Sequence, residues 1–149
     1  MSENIVRKAE VLFYDKEKPG MGRAPAGQLI LTDRRLAYIK HLWKGLRADI
    51  KDYSGNIEEG LKNEGSLVIP LGEVSEARAE STWGTPYLRV RYQTGSGEKA
   101  CSFIISASSG GTADKLLAVQ SGGVLVRKGP VQELAAAIME MKEKAAAGH

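Results

Sequence analysis

Residues 27–38, Gly-Gln-Leu-Ile-Leu-Thr-Asp-Arg-Arg-Leu-Ala-Tyr, constrain this chain more than any other stretch. Leu29, Leu31, Leu36 and Tyr38 recur at alternate positions on either side of a polar corner, Thr32-Asp33-Arg34-Arg35. Side chains of a strand point to opposite faces in turn. The pattern therefore predicts two short strands joined at a tight turn, sharing one apolar face and leaving the other wet.

The same period recurs along the chain. Ile5–Tyr14 reads as a first strand ended by Asp15, and the Pro- and Gly-bearing stretch from Asp15 to Pro25 excludes regular structure. Strands two and three occupy about 26–32 and 34–42. Leu67–Leu71 is a short strand, with Pro70 placing it at an edge or a strand end. Val74–Glu80 follows, then Tyr87–Gln93, where Leu88, Val90 and Tyr92 lie opposite Arg89, Arg91 and Gln93. Thr94-Gly-Ser-Gly97 is a hairpin turn, and Lys99–Ile105 sets Cys101, Phe103 and Ile105 on one face. The connection Trp43–Ser66 is polar and glycine-punctuated, with at most a short helix near Asn56–Leu61; connections of that length are usually functional or mobile. Within 106–129, Ser106–Gly111 reads as loop, Asp114–Val119 as a helical turn and Val124–Arg127 as a short strand. The last element is a helix at about 131–146. Pro130 opens it where the first helical N–H groups lack partners in any case, and Val131, Leu134, Ile138, Met141 and Ala145 form one stripe. Ala135–Ala137 allows close approach to a sheet.

The fold class that follows is mainly β. Seven antiparallel strands form a bent sandwich or partly open barrel, capped by one C-terminal helix, in a single domain of residues 1–149. Charge is balanced: 12 basic and 10 acidic residues before Leu71, 9 and 8 after it, which argues against a nucleic-acid binder. Cys101 is the one cysteine, so no internal disulfide forms and a cytoplasmic setting is expected. The charged N-terminus does not read as a signal peptide, and no apolar run approaches the ~20 residues of a membrane span.

The order of elements resembles the pleckstrin-homology-like superfamily. Gly27-x-Leu29-x-Leu31-Thr32-x-x-Arg35-Leu36, followed by Ile69-Pro70-Leu71-x-x-Val74, looks like its GRAM and GLUE branches. The pair Tyr14-Asp15 ending strand one is similar to the GLUE domain of the ESCRT-II complex. The likeness covers about residues 5–105 and the last helix. It departs in the long 43–66 connection and in the 106–129 insertion. What it implies is a non-catalytic adaptor that docks to anionic membrane lipid, to a protein such as ubiquitin, or to both, in membrane sorting. Some GLUE domains bind ubiquitin through the helix, which would involve Leu134, Ile138, Met139 and Met141. A pure protein-interaction module using that helix and a strand edge, without lipid, is the alternative.

In such a fold the loops after strands one, three and six, here 15–25, 43–66 and 94–97, gather at the open end. Lys40, His41, Lys44 and Arg47 sit together without an intervening acid beside Trp43. Near an anionic bilayer each basic side chain contributes ~1 kcal/mol, and Trp prefers the headgroup region. Lipid attachment would use Lys40, Trp43, Lys44 and Arg47, assisted by Lys16, Lys18 and Arg23. The plainer reading is a solvated rim with Trp43 covering a core edge.

Catalysis, a cofactor and a metal are not predicted. His149 is terminal and His41 reads as a rim histidine without a motif partner. Cys101 reads as a buried small hydrophobe, and one Cys with two His falls short of a zinc site. Thr94-Gly-Ser-Gly-Glu-Lys99 is no phosphate loop, because its lysine does not follow the glycine and a strand comes next. A small-ligand binder or enzyme with 43–66 as a lid remains a third reading, and it needs a pocket holding His41 or a perturbed acid.

Overall fold

The computed structural model describes residues 3–20, 24–108 and 128–147. The strands are β1 (Ile5–Tyr14), β2 (Ala26–Thr32), β3 (Arg35–Lys40), β4 (Leu42–Lys44), β5 (Arg47–Asp49), β6 (Leu67–Pro70), β7 (Val74–Thr82), β8 (Thr85–Thr94) and β9 (Gly97–Ser108). Two helices accompany them, α1 (Ile57–Gly60) and α2 (Lys128–Ala147). Seven strands form one sheet in the order β6-β3-β2-β1-β9-β8-β7, every neighbour antiparallel, while β4 and β5 pair only with each other.

The sheet does not close into a barrel. Its edges, β6 and β7, are joined by a 3-10 turn at Leu71–Glu73. Register shifts at Glu10/Val11 and Val74/Glu76 mark bulges, which bend the strands that carry them. Between the curled inner face and α2 lies the main core. Leu29, Leu31, Leu36, Tyr38, Leu88, Val90, Phe103, Val131 and Ile138 are almost fully buried there. Phe13, Tyr38 and Phe103 form an aromatic cluster with ring centroids 4.6–5.9 Å apart. The α2 stripe packs chiefly on β7, β8 and the 3-10 turn. Ala135 and Ala137 are buried, which lets the helix backbone come close. On the edge strand β7, Ala77 donates its N–H to the Sδ of Met139 at 3.3 Å, so α2 also covers part of that edge.

The outer face corrects the sequence reading. It is not wet over β2 and β3: Ile30, Ala37 and Ile39 are buried there under Ile57 of α1, with Tyr53 and Leu61 alongside. Every residue of β2 from Gly27 to Thr32 is buried, so the strand has a core on both sides. α1 sits so close that a Cβ on Gly60 would meet Ile39 Cδ1 at 2.7 Å. Arg35 pins it, bonding Glu3 through Nε (2.9 Å) and Nη2 (3.0 Å) and Glu58 at 2.6 Å. The 43–66 connection is thus a hairpin followed by a packed cover. The readings of 109–127 lie outside the described residues, and β9 continues to Ser108 rather than ending at Ile105.

Two predictions follow from packing. Ile138→Ala empties the centre of the helix–sheet contact and should cost about 2–5 kcal/mol, read as a lower denaturation midpoint at unchanged slope. Trp83, fully exposed with φ 51°, precedes Gly84 (φ 78°) at the β7–β8 turn, a left-handed pair that Asn-Gly serves best. Trp83→Asn should stabilise the chain by about 1 kcal/mol in the same assay.

Candidate docking site

The stretch Leu42-Trp-Lys-Gly-Leu-Arg-Ala-Asp49 folds back on itself because Gly45, at φ 69°, takes the first position of a two-residue turn. That geometry matches the twist of a hairpin. Register pairs Leu42 with Asp49, Trp43 with Ala48 and Lys44 with Arg47. Neither strand joins the large sheet, so the ribbon has no core of its own. Its apolar side chains stay in water: Leu42 is 49% exposed, Trp43 63%, Leu46 96% and Ile50 66%. These four make up over half of the large apolar residues exposed among those described, the others being Ile5, Val68 and Trp83. Exposed apolar surface is thus concentrated on and beside this one element rather than scattered.

Register also places the hairpin. β1 ends, β2 begins and β3 ends at one end of the sheet, and β9 extends past the end of β1. The 15–25 loop, the hairpin and the 95–96 turn all leave from that end. The C-terminal part of α2 lies at the other: Lys142, Ala145 and Ala146 line a groove of about 440 Å³ with Asp33 and Arg34 of the β2–β3 turn. A second groove, about 190 Å³, lies between the end of β7 and the start of α2. Neither is lined by His41 or Cys101.

A polar clamp holds the hairpin at its base. On the entry side His41 donates its N–H to Ala26 O at 3.0 Å, and its Nε2 lies 2.6 Å from Glu10 Oε2. The imidazole is fully buried, with Nδ1 unpartnered, and stacks on Tyr53 at 6.4 Å. This corrects the rim reading: His41 continues the outer-face parity of Ala37 and Ile39, and the returning chain covers it. On the exit side Lys8 Nζ donates to Asp52 Oδ2 at 2.6 Å, and Gln28 Nε2 donates to Asp52 Oδ1 at 2.9 Å. The Lys8 ammonium, with help from Gln28 and Ser54, holds the Asp52 carboxyl well below the usual carboxylate range.

Lys40 is half-buried at the hairpin base, its N–H on Ser66 Oγ (3.0 Å) and its C=O on Asn63 Nδ2 (2.9 Å). Lys16 and Lys18 are exposed in the β1–β2 loop, where Glu17 bonds Arg91 of β8. Arg23 and the side chains of Lys44 and Arg47 lie outside the described residues. On α2, Leu134 and Ile138 are buried against the sheet, while Met139 and Met141 are partly buried at its margin. A partner meeting the folded domain therefore does not reach Leu134 or Ile138. The sequence reading omits Leu46 and Ile50; the Lys-Gly-Leu-Arg turn between Leu-Trp and Ala-Asp is their signal. Cys101 is buried, and burial pushes its thiol up to about 12. Among the described residues no group of three or more His, Cys, Asp or Glu could hold a metal, and no helix is long and apolar enough to cross a membrane.

A scan of family models and a search of curated proteins return no match to this chain.

The clamp carries an acid signature. Asp52 binds protons less readily folded than unfolded, so its contribution is complete above its ordinary value of 3.8 and is lost as pH falls through that value toward the depressed one. Asp52→Asn lacks this slope. The stability gap between the native chain and Asp52→Asn, measured by urea unfolding, should narrow between about pH 5 and pH 3.

Proposed function

We propose that this chain is a non-catalytic docking module that attaches peripherally to anionic membrane surfaces through the β4–β5 hairpin. The observation that carries the reading is the exposure of Leu42, Trp43, Leu46 and Ile50 on and beside one ribbon that does not pair with the large sheet. Charge selects the occupant. From Lys40 to Arg47 the sequence holds three cations and no carboxylate, and register sets Lys44 against Arg47 across the turn. Cations beside apolar tips suit a negatively charged headgroup layer over hydrocarbon. Leu46 enters deepest, Trp43 sits at the headgroup level, and Lys40, Lys44 and Arg47 supply electrostatic attraction of ~1 kcal/mol each. Lys16 and Lys18, on the neighbouring loop at the same end of the sheet, add to it. Attachment by one short tip is weak and gains from avidity.

The pleckstrin-homology-like resemblance supports an adaptor role in a cytoplasmic setting. Its GLUE branch extends the proposal to membrane sorting, with a ubiquitin-like protein as a further ligand. The lid reading has less support, since the 52–61 segment is held on the sheet through Tyr53 and Ile57.

Vesicle sedimentation tests the proposal. The native chain should pellet with phosphatidylserine-containing vesicles and much less with phosphatidylcholine alone. Lys44→Glu with Arg47→Glu should abolish the difference. Leu46→Glu should weaken binding by about tenfold or more, the equivalent of one buried leucine. Equal recovery on both vesicle types, indifferent to these changes, would overturn the reading.

A further inference from the structure

We infer that Gln28 is the positioning residue of the docking hairpin, the side chain that presets residues 42–51 in the arrangement that meets the membrane; the inference rests on the membrane reading above. Gln28 lies on the outer face near the start of β2 and is 3% exposed. Both halves of its amide are used on the returning chain. Oε1 accepts the Tyr53 N–H at 2.7 Å, and Nε2 donates to Asp52 Oδ1 at 2.9 Å. Accepting from a backbone N–H while donating to a carboxylate is what a neutral carboxamide can do and a carboxylate cannot. Lys8 grips the same Asp52 at 2.6 Å and reaches Ser54 Oγ at 3.3 Å.

The returning chain meets the entering chain through the stacked rings of Tyr53 and His41. The Gln28 fork on β2 holds the exit end at Asp52 and Tyr53, while His41, bonded to Ala26 and Glu10, holds the entry end, so the ten-residue excursion is braced at both ends. The excursion needs this bracing, because an isolated two-stranded ribbon is marginal in water. A tip that is already ordered loses little freedom on docking, and a loosened one must be ordered at the expense of affinity.

The test uses the full chain in a Trp83→Phe background, so that Trp43 is the single indole. Gln28→Glu keeps the acceptor for Tyr53 but sets a second carboxylate against Asp52. Partition onto phosphatidylserine-containing vesicles should fall by roughly five- to tenfold, and amides in 42–50 should exchange faster while those of β8 and β9 do not change. The Trp43 emission shift at saturating lipid should be retained, because the docked state is the same. Adding Asp52→Asn removes the facing carboxylate and lets its amide donate to the carboxylate introduced at position 28, at the expense of the Ser54 N–H, and partition should recover in part. Loosened amides with unchanged partition, or no recovery in the double variant, would overturn the positioning role while leaving membrane docking in place. A parent chain that ignores phosphatidylserine vesicles would overturn both. If Gln28→Glu does not fold, Asp52→Ala at the solvent-facing side of the clamp carries the same comparison: weaker partition supports the role and unchanged partition removes it.

Discussion

Burial of β2 on both faces is the constraint on which the rest of this structure depends. Its inner face, Leu29 and Leu31, meets the main core under α2, and its outer face meets α1 through Ile30. A strand buried on one side needs cover on one side only. Here the second side must also be covered, and the nearest chain able to do so is the connection after β3. The connection therefore cannot wander. It crosses the outer face from Asp52 to Leu61, bonded to Gln28 and pinned by Arg35. The hairpin is the part of the connection left over once that cover is satisfied.

The same constraint divides the molecule between two ends. α2 lays its stripe on β7 and β8, and its C-terminal part reaches the β2–β3 turn. The opposite end carries the hairpin, the β1–β2 loop and the β8–β9 turn. Apolar surface follows this division: the helix stripe is buried at one end, and Leu42, Trp43, Leu46 and Ile50 remain in water at the other. Leaving such residues exposed costs solvation free energy, which the proposed docking would recover. Trp83 stands apart at the β7–β8 turn, where a bulky residue occupies a left-handed conformation.

Much of the fold was legible because its strands announce themselves locally. All seven strands of the large sheet were readable from alternation, Ile5–Tyr14 and Ala26–Thr32 to the residue, and the helix from its stripe and Pro130. What was not legible has definite causes. β4 and β5 are three residues each, too short for a period to show. The outer core escaped because Leu29-Ile30-Leu31 was read as alternation, although an unbroken apolar run marks a strand buried on both faces. His41 was read as a rim residue because its partners, Glu10 and Tyr53, stand 31 and 12 positions away in sequence. Of the candidate site, Trp43 and its cationic neighbours were visible as composition, while Leu46 and Ile50 became part of it only through the hairpin.

By itself, then, the sequence determined the local terms: which segments extend, where they turn, which stripe of the helix is apolar, and that cations cluster near Trp43. Those follow from side-chain period and turn chemistry within a few residues. Only the tertiary structure decided which faces are covered, that part of the long connection covers a second core, and that four apolar side chains on and beside the hairpin are left exposed. Such outcomes depend on pairings between residues tens of positions apart, and on the competition for a limited number of covering elements, neither of which a local pattern records.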